Sequence, residues 1–356
     1  MKYQAASLTS HGQGQGNNGC AKLLLHMNAL TFPILRLLAD GKFHSGEAIA
    51  QQFKVSRATV WNALQTAEKL GIELYSVRGR GYKLPQALTL LDEQAILQAI
   101  GEQRAWFKLE VHDHLASTNS YMMKNLNSGQ AHASCVVANW QSNGRGRRGR
   151  SWQGGLGASL TFSLLWRFQC GASALSGLSL AIGVALIRAL HGLGIAQAQL
   201  KWPNDVLIMN QQGLTEKLAG ILIELQGDME GPSAAVIGVG INLNLPTKIK
   251  QQIDQAATDI ASVAPQPIDP NHLLGTLLKH LAQILSQFEQ QGFTGLRDEW
   301  TAYHALHQQA VKMLHPDGRE TLGTVIGVAD DGILLIDSAL GEQRFSSGEI
   351  SLRSAH

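Results

Sequence analysis

Gly144-Arg145-Gly146-Arg147-Arg148-Gly149-Arg150 packs four arginines and three glycines into seven residues. Glycine lets a backbone approach a ligand closely, and arginine offers a planar fork of donors to phosphate or carboxylate. The run sits between two apolar strand candidates, VVANW at 136–140 and LTFSLLW at 160–166. It therefore reads as a ligand loop held between core strands. Four cations on one loop repel, which predicts a loop that is mobile until an anion binds. The competing reading is an arginine–glycine nucleic-acid segment. Those are long, repeated and disordered, whereas this run is single and flanked by strands.

Downstream lies Lys201-Trp202-Pro203-Asn204-Asp205. A lysine and an aspartate four residues apart, held by a proline turn, suit an anionic reactant and a metal. Lys201 would neutralise developing charge and Asp205 would orient Mg²⁺. Taken alone, the pentapeptide is equally an ordinary loop with a surface lysine and a core tryptophan. Lys217-Leu218-Ala219-Gly220-Ile221-Leu222-Ile223-Glu224 sets a lysine at the mouth of a strand, and Gly238-Val239-Gly240-Ile241-Asn242-Leu243-Asn244 ends a buried strand in two amides. The GxG there lacks the third glycine and following helix of a dinucleotide fingerprint, so a Rossmann site is rejected. Upstream, Ser117-Thr118-Asn119 opens a helix, either as a cap alone or as polar contacts for a small neutral ligand. There is no GxxxxGK[ST] phosphate loop, no HExxH and no His pair of a metal hydrolase.

These motifs lie on an alternation of strands and helices that begins near 108. DVLIM (205–209), LAGILIEL (218–225) and AAVIGVGINLNL (234–245) are further strand candidates, with helices expected over 118–126, 173–193 and 271–291. Before this region the pattern differs. Residues 30–39 carry apolar residues at helical spacing. Ser45 caps a second helix, and Ser56 caps a third that closes at Gly71. ELYSV and YKLP then form a hairpin around Arg78-Gly79-Arg80-Gly81, and residues 88–100 read as a connecting helix. Three short helices and a wing make a winged helix-turn-helix. Ser56, Arg57, Thr59 and Asn62 stand near the start of its recognition helix, where side chains reach base edges; Arg57 suits a guanine and Asn62 an adenine. Arg78 and Arg80 would lie on phosphates or enter a minor groove. A three-helix protein-interaction module is the bland alternative. Past 308, short strands separated by Asp-Gly turns read as a small β-barrel.

The bulk numbers are compatible with this division. The chain has 356 residues, enough for two or three domains, and its net charge of +2 provides no global field for nucleic acid, so DNA contact must come from a local basic cluster. Cys20, Cys135 and Cys170 stand alone, giving neither a disulfide framework nor a zinc ribbon and favouring a reducing cytoplasm. No apolar run is expected to reach the roughly 20 residues of a membrane span. Residues 1–27 lack the apolar core of a secretion signal and read as a disordered tail. The organisation is thus a tail at 1–27, a winged helix-turn-helix at 28–86, a catalytic domain at 87–305 and a small C-terminal domain at 306–356.

In order and spacing, STN, GRGRRGR, KWPND, KLAGILIE and GVGINLN resemble the biotin–protein ligase family across about residues 110–245. The N-terminal FHSGEAIA, SRATVWNALQ and RGRGYKL look like its bifunctional bacterial members, which also repress the biotin synthesis operon. The resemblance implies an α+β chain: a winged helix-turn-helix, a central mixed sheet with helices similar to class II aminoacyl-tRNA synthetases, and an SH3-like barrel. It implies two steps. Biotin's carboxylate attacks the α-phosphate of ATP, held with Mg²⁺, releasing pyrophosphate and forming biotinyl-5′-AMP. A lysine amine of a biotin carboxyl carrier domain then attacks the acyl carbon and AMP leaves. By motif match, Ser117, Thr118 and Asn119 line the biotin pocket and Gln141 bonds the ureido ring. Arg145, Gly146 and Arg147 wrap the valeryl chain and phosphate, and Lys201 meets the reacting centre. Arg148, Arg150, Lys217 and Asn242 lie on the nucleotide side. Operator DNA and a ligand-induced homodimer complete the implied partners, with no membrane.

Two departures stand out. The family commonly has an acidic residue before STN, where this chain has Ala116, and repressor relatives carry a tryptophan after GIN that packs on adenine, whereas residues 243–299 hold no Trp or Tyr. Three rival readings share the motifs in part: a lipoate-type ligase, a biotin-sensing regulator without catalysis, and a ligase whose winged unit does not repress. The arginine run argues against the first, and Arg145, Arg147 and Lys201 together argue against the second.

Overall fold

A computed structural model describes residues 28–70, 72–210, 212–315, 317–346 and 351–354, so the tail expected over 1–27 lies outside the described residues. The chain divides into two compact units, Met1–Leu88 and Thr89–His356.

In the first unit, α1 (Thr31–Leu38), α2 (Gly46–Phe53) and α3 (Arg57–Lys69) precede a hairpin of β1 (Tyr75–Val77) and β2 (Gly81–Lys83). Ser45 and Ser56 cap α2 and α3 as expected, each side-chain oxygen accepting from the backbone N–H three residues on. Ile34, Leu35, Leu38, Ile49, Val60, Ala63, Leu64 and Ala67 are buried and give the unit its own small core.

In the second unit, α4 (Glu93–Ile100) leads to β3 (Lys108–Leu115), α5 (Thr118–Asn125), β4 (Ser134–Gln141), a short hairpin of β5 (Gly144–Arg145) and β6 (Ser151–Trp152), then β7 (Ser159–Phe168) and α6 (Leu178–Gly192). Next come β8 (Ala198–Lys201), β9 (Asp205–Met209), β10 (Thr215–Gly227), β11 (Ser233–Asn242), α7 (Pro270–Gln291) and α8 (Arg297–Tyr303). Seven strands form one mixed sheet in the order β3-β4-β7-β11-β10-β9-β8, parallel at β3–β4 and antiparallel elsewhere. β3 and β8, too short or too polar to stand out in the sequence pattern, are its edges.

Strand alternation assigns the two faces. Phe162, Leu164, Trp166 and Phe168 of β7 join Ala235, Ile237, Val239 and Ile241 of β11 in the large core under α6 and α7. The opposite face carries a smaller cluster of Met122, Leu126, Val136, Leu165, Ala234 and Val236, where α5 packs. The segment Ala172–Gly192, which contains α6, is long and apolar enough by composition to cross a membrane, contrary to the expectation from the sequence. It is a core element instead, with 67% of its most apolar stretch buried. The last five strands, β12 (Ala310–Leu314), β13 (Glu320–Val328), β14 (Leu334–Ser338), β15 (Gly341–Phe345) and β16 (Ser351–Ser354), pair antiparallel in the order β15-β14-β13-β12-β16. Short antiparallel strands in this order are compatible with the small C-terminal barrel expected from the sequence.

Candidate functional site

On the α5 face of the sheet, two rows of residues run across three strands. Register places Thr161, Gly240 and Gly220 in one row and Ser163, Gly238 and Leu222 in the next. The glycines two apart in the GVG of β11 thus face the same side, and their missing side chains leave two slots. A Cβ on Gly240 would lie 2.6 Å from Cε2 of Trp152, and one on Gly238 would collide with Asn119 Oδ1. The floor admits an indole and an amide only because both positions are glycine.

Above this floor lies a cavity of about 530 Å³. Its wall takes in Ser117-Thr118-Asn119, Gln141, the arginine hairpin, the KWPND turn, Lys217 and Asn242, with Leu352 from β16. All the residues assigned from sequence to ligand and catalysis therefore meet in one place. The volume falls within the usual range for a small-molecule site.

At one end, Ser117 caps α5, its Oγ accepting from Ser120 N at 3.4 Å, while Thr118 N donates to Gln141 Oε1 at 2.6 Å. Ser163 Oγ lies 2.6 Å from Asn119 Oδ1 and 2.8 Å from Thr118 Oγ1. The arginine run is a hairpin whose tip is closed by Gly146 N to Arg150 O at 2.8 Å and Arg150 N to Arg147 O at 3.2 Å. Arg148 turns the chain at φ 57°, an uncommon value for a residue other than glycine. Arg145 reaches back to Glu224, with Nη2 2.9 Å from Oε1 and Nη1 3.0 Å from Oε2. Arg147 points the other way, donating to Asn204 Oδ1 at 3.1 Å. Burial, with Arg148 alongside, lowers the pKa of Arg147, and Asp205 opposes the shift.

At the other end, Lys201 ends β8 and pairs in register with Asp205 across the Trp202–Pro203 turn, a cis peptide. The turn is fixed from below. Asn204 Nδ2 donates to Ile221 O at 2.8 Å, Trp202 N donates to His304 Nε2 at 3.4 Å, and Trp202 Nε1 donates to Gly332 O at 3.1 Å. His304 is buried and stacked on Trp300 at 4.7 Å; burial first, then the charges of His307 and Lys201, lower its pKa to about 3. It is therefore a neutral acceptor at working pH.

Two of the assigned side chains have partners within the chain, and one further residue joins the site. Asp205, expected to orient Mg²⁺, is ion-paired with Lys217 at 2.6 Å, and among the described residues no group of three or more His, Cys, Asp or Glu is placed to hold a metal. Asp205 nevertheless lines the cavity, so its carboxylate fits a cation that enters with nucleotide phosphates. Asn242, expected on the nucleotide side, lines the cavity and is largely buried, its Nδ2 donating to Lys217 O at 3.3 Å and Thr258 O at 2.9 Å. Trp152 was missed. Its indole covers Gly240 and Gly220, and Lys217 Nζ stands 5.7 Å from its ring centroid. The signal was present, since Trp152 follows the arginine run by two residues.

In the winged unit the candidate contacts face outward. Arg57, Asn62 and Arg78 are exposed, and so is Trp61 on the same helix at 53%. Ser56 and Thr59 are engaged with each other, Oγ to Oγ1 at 2.9 Å, and Arg80 lies over the Phe43 ring at 4.6 Å. Residues 28–88 contain eight Lys and Arg against four Asp and Glu, an excess of positive charge larger than the +2 of the whole chain.

A cavity walled by the STN turn, an arginine hairpin and two lysines over a glycine floor is the kind of site in which a ligase activates a small acid with a nucleotide. Residues 111–242 match the Biotin/lipoate A/B protein ligase family, 31–83 an HTH domain and 307–353 the Biotin protein ligase C terminal domain. The "Bifunctional ligase/repressor BirA" of Salmonella typhimurium is 34% identical over 92% of this chain and 100% of its own length. The protein of that name from Bacillus subtilis is 28% identical over 88% of this chain and 95% of its own. Among solved structures, the biotin protein ligase of Aquifex aeolicus in complex with biotin and ATP superposes with a TM-score of 0.58 at 27% identity, covering 70% of this chain and 99% of that one. The chain belongs to the family of bifunctional biotin ligase/repressors.

Proposed function

We propose that the chain uses ATP and Mg²⁺ to convert biotin to biotinyl-5′-AMP and transfers the biotinyl group to a lysine of a biotin carboxyl carrier domain. The observation that carries this is the meeting of STN, the arginine hairpin, Lys201 and Lys217 around one cavity. The polar end at Thr118, Asn119 and Gln141 takes the ureido ring. Lys201 neutralises charge where carboxylate meets α-phosphate. Arg147, held over the KWPND turn through Asn204, shields the mixed anhydride from water. Trp152 with Lys217 forms the nucleotide platform, a face for adenine beside a cation for phosphate, in place of the aromatic missing after Asn242. Arg148 and Arg150 lie on the same side.

The winged unit binds operator DNA through Arg57, Asn62 and Arg78, with the adenylate as corepressor and a ligand-induced homodimer formed through an edge of the central sheet. Ser56 and Thr59 serve there as the cap of the recognition helix. The domain limits at 86/87 and 305/306 and a cytoplasmic setting belong to this reading. Incubation with biotin, ATP–Mg²⁺ and a carrier domain, followed by streptavidin blotting, tests the ligase; no labelled carrier refutes it. A gel shift on the biotin operator tests the repressor.

A further inference from the structure

Glu224 lies outside the cavity wall, yet it touches two residues that form it. Its carboxylate accepts from both Nη atoms of Arg145, at 2.9 and 3.0 Å, and Oε2 accepts from Asn119 Nδ2 at 3.0 Å. It sits on β10 two residues past Leu222, and so on the ligand face of the sheet, with its side chain 22% exposed. A carboxylate has only acceptors, and so does the Leu222 carbonyl, which lies 3.3 Å from the same Nδ2. Asn119 must therefore turn its NH₂ toward them and its Oδ1 toward Ser163.

The rest of the chain follows from counting protons. Ser163 Oγ has one hydrogen and two neighbours, Asn119 Oδ1 at 2.6 Å and Thr118 Oγ1 at 2.8 Å. Oδ1 can only accept, so the Ser163 proton goes there. Ser163 Oγ then accepts from the Thr118 hydroxyl, and Thr118 is left with lone pairs for a ligand. Gln141 Oε1 is already occupied by Thr118 N, which leaves the Gln141 NH₂ as a donor. An acceptor on Thr118 and a donor on Gln141, both lining the cavity and tied to each other through Thr118 N, complement a ring N–H next to its carbonyl, as in a cyclic urea.

We propose that Glu224 is a positioning residue: through Asn119 and Ser163 it fixes the proton order that makes Thr118 an acceptor, and it holds Arg145 on the small-ligand side of the cavity. This deepens the assignment of the STN end to biotin and rests on it.

The test uses the full chain and measures biotin Kd by calorimetry without ATP, then biotin and ATP KM in pyrophosphate exchange. Glu224→Gln keeps the shape and removes the charge. Ser163→Ala breaks the relay and touches no charge. Each is expected to weaken biotin about tenfold, the scale of one charge-assisted or buried hydrogen bond. ATP KM and thermal midpoint should stay near the wild-type values, a split that general disruption would not produce. In Glu224→Gln/Arg145→Gln the biotin penalties should not multiply. Biotin Kd within twofold of wild type in Ser163→Ala overturns the proton order, and equal rises in biotin and ATP KM overturn the positioning role. If Glu224→Gln does not fold, Ser163→Ala and Arg145→Gln decide by the same readings. A wild-type chain that binds biotin but exchanges no pyrophosphate fails the ligase reading alone; one that does not bind biotin overturns this proposal.

Discussion

The cavity in the second unit and the recognition surface of the first were both marked by short polar motifs, but the fold treats them differently. Around the cavity nearly every functional side chain has a partner within the chain: Arg145 on Glu224, Arg147 on Asn204, Lys217 on Asp205, Thr118 against Ser163. On the recognition helix and wing, Arg57, Asn62 and Arg78 extend into solvent, and the polar groups that do pair, Ser56 with Thr59, serve the helix end. A catalytic site must be preorganised, since its groups act on charge that exists only briefly. A surface that reads DNA is completed by the DNA, and its contacts need only be reachable. Substitutions in the cavity should therefore have large, ligand-specific effects, and substitutions on the wing small, additive ones.

The largest effect is expected for Lys201→Ala. Lys201 sits on a turn held by His304, Asn204 and Gly332, so removing its charge leaves the scaffold in place. Pyrophosphate exchange should fall by about two to three orders of magnitude, the scale of losing one preorganised electrostatic contact. Far-ultraviolet circular dichroism and the melting midpoint should be unchanged. Exchange within tenfold of wild type would remove Lys201 from the reacting centre.

Gly238→Ala probes the floor next. The added methyl collides with the Asn119 amide, which cannot retreat without leaving Glu224 and Ser163. Biotin binding should weaken by about tenfold or more, on the scale of a strained, unpaired buried amide. Overpacking also costs stability, about 1–3 kcal/mol, so the melting midpoint should drop as well. Unchanged biotin affinity would show that Asn119 is dispensable to the pocket.

How legible this contrast is from sequence depends on period. The GVG of β11 and the LAGIL of β10 lie on strands whose alternation fixes which residues share a face, so the convergence of Gly238, Gly240 and Gly220 follows from the pattern once strands are assigned. The three helices and wing were legible for the same reason, with Ser45 and Ser56 as caps. Trp152 and Glu224 were not read as functional, although the period of β10 puts Glu224 on the face of Gly220 and Leu222. Their roles depend on partners more than 30 residues away in the chain, Gly220 and Gly240 for Trp152 and Arg145 and Asn119 for Glu224. Asn242 is placed by motif, and the backbone carbonyls that its Nδ2 meets, Lys217 O and Thr258 O, are not legible in the sequence. β3 and β8 are edge strands with weak alternation, and their place is set by tertiary pairing.

Arg147→Gly separates retention from chemistry. Its guanidinium joins the hairpin to the KWPND turn through Asn204, a contact that can close the adenylate in. Losing it should leave adenylate formation within about tenfold, the scale of one charged hydrogen bond. The intermediate should then escape and label lysines on bystander proteins, read by streptavidin blot of a mixture with and without carrier. Labelling confined to the carrier domain would refute the retention role.

The smallest effects belong to the wing, where the two arginines are not equivalent. Both are exposed on the β1–β2 hairpin, but Arg80 also lies 4.6 Å over the Phe43 ring. A cation–π contact at such a site contributes about 0.5–1 kcal/mol, so part of the interaction energy of Arg80 is spent inside the unit. An arginine that meets a phosphate without such a ring contact gives more of its interaction energy to binding. Arg78→Ala should therefore weaken operator binding severalfold, uniformly across sequences, and reduce the slope of log affinity against log salt by about one. Arg80→Ala should change that slope less and lower the melting midpoint of the winged unit more. Ligase activity should not move in either variant, because neither residue lines the cavity. Gel shifts over a salt series, run beside a melting curve, read all of these quantities from one preparation. Equal slopes with equal melting midpoints would mean that the Phe43 contact does not distinguish the two arginines, and the contrast between paired and reaching groups would then fail within the wing itself.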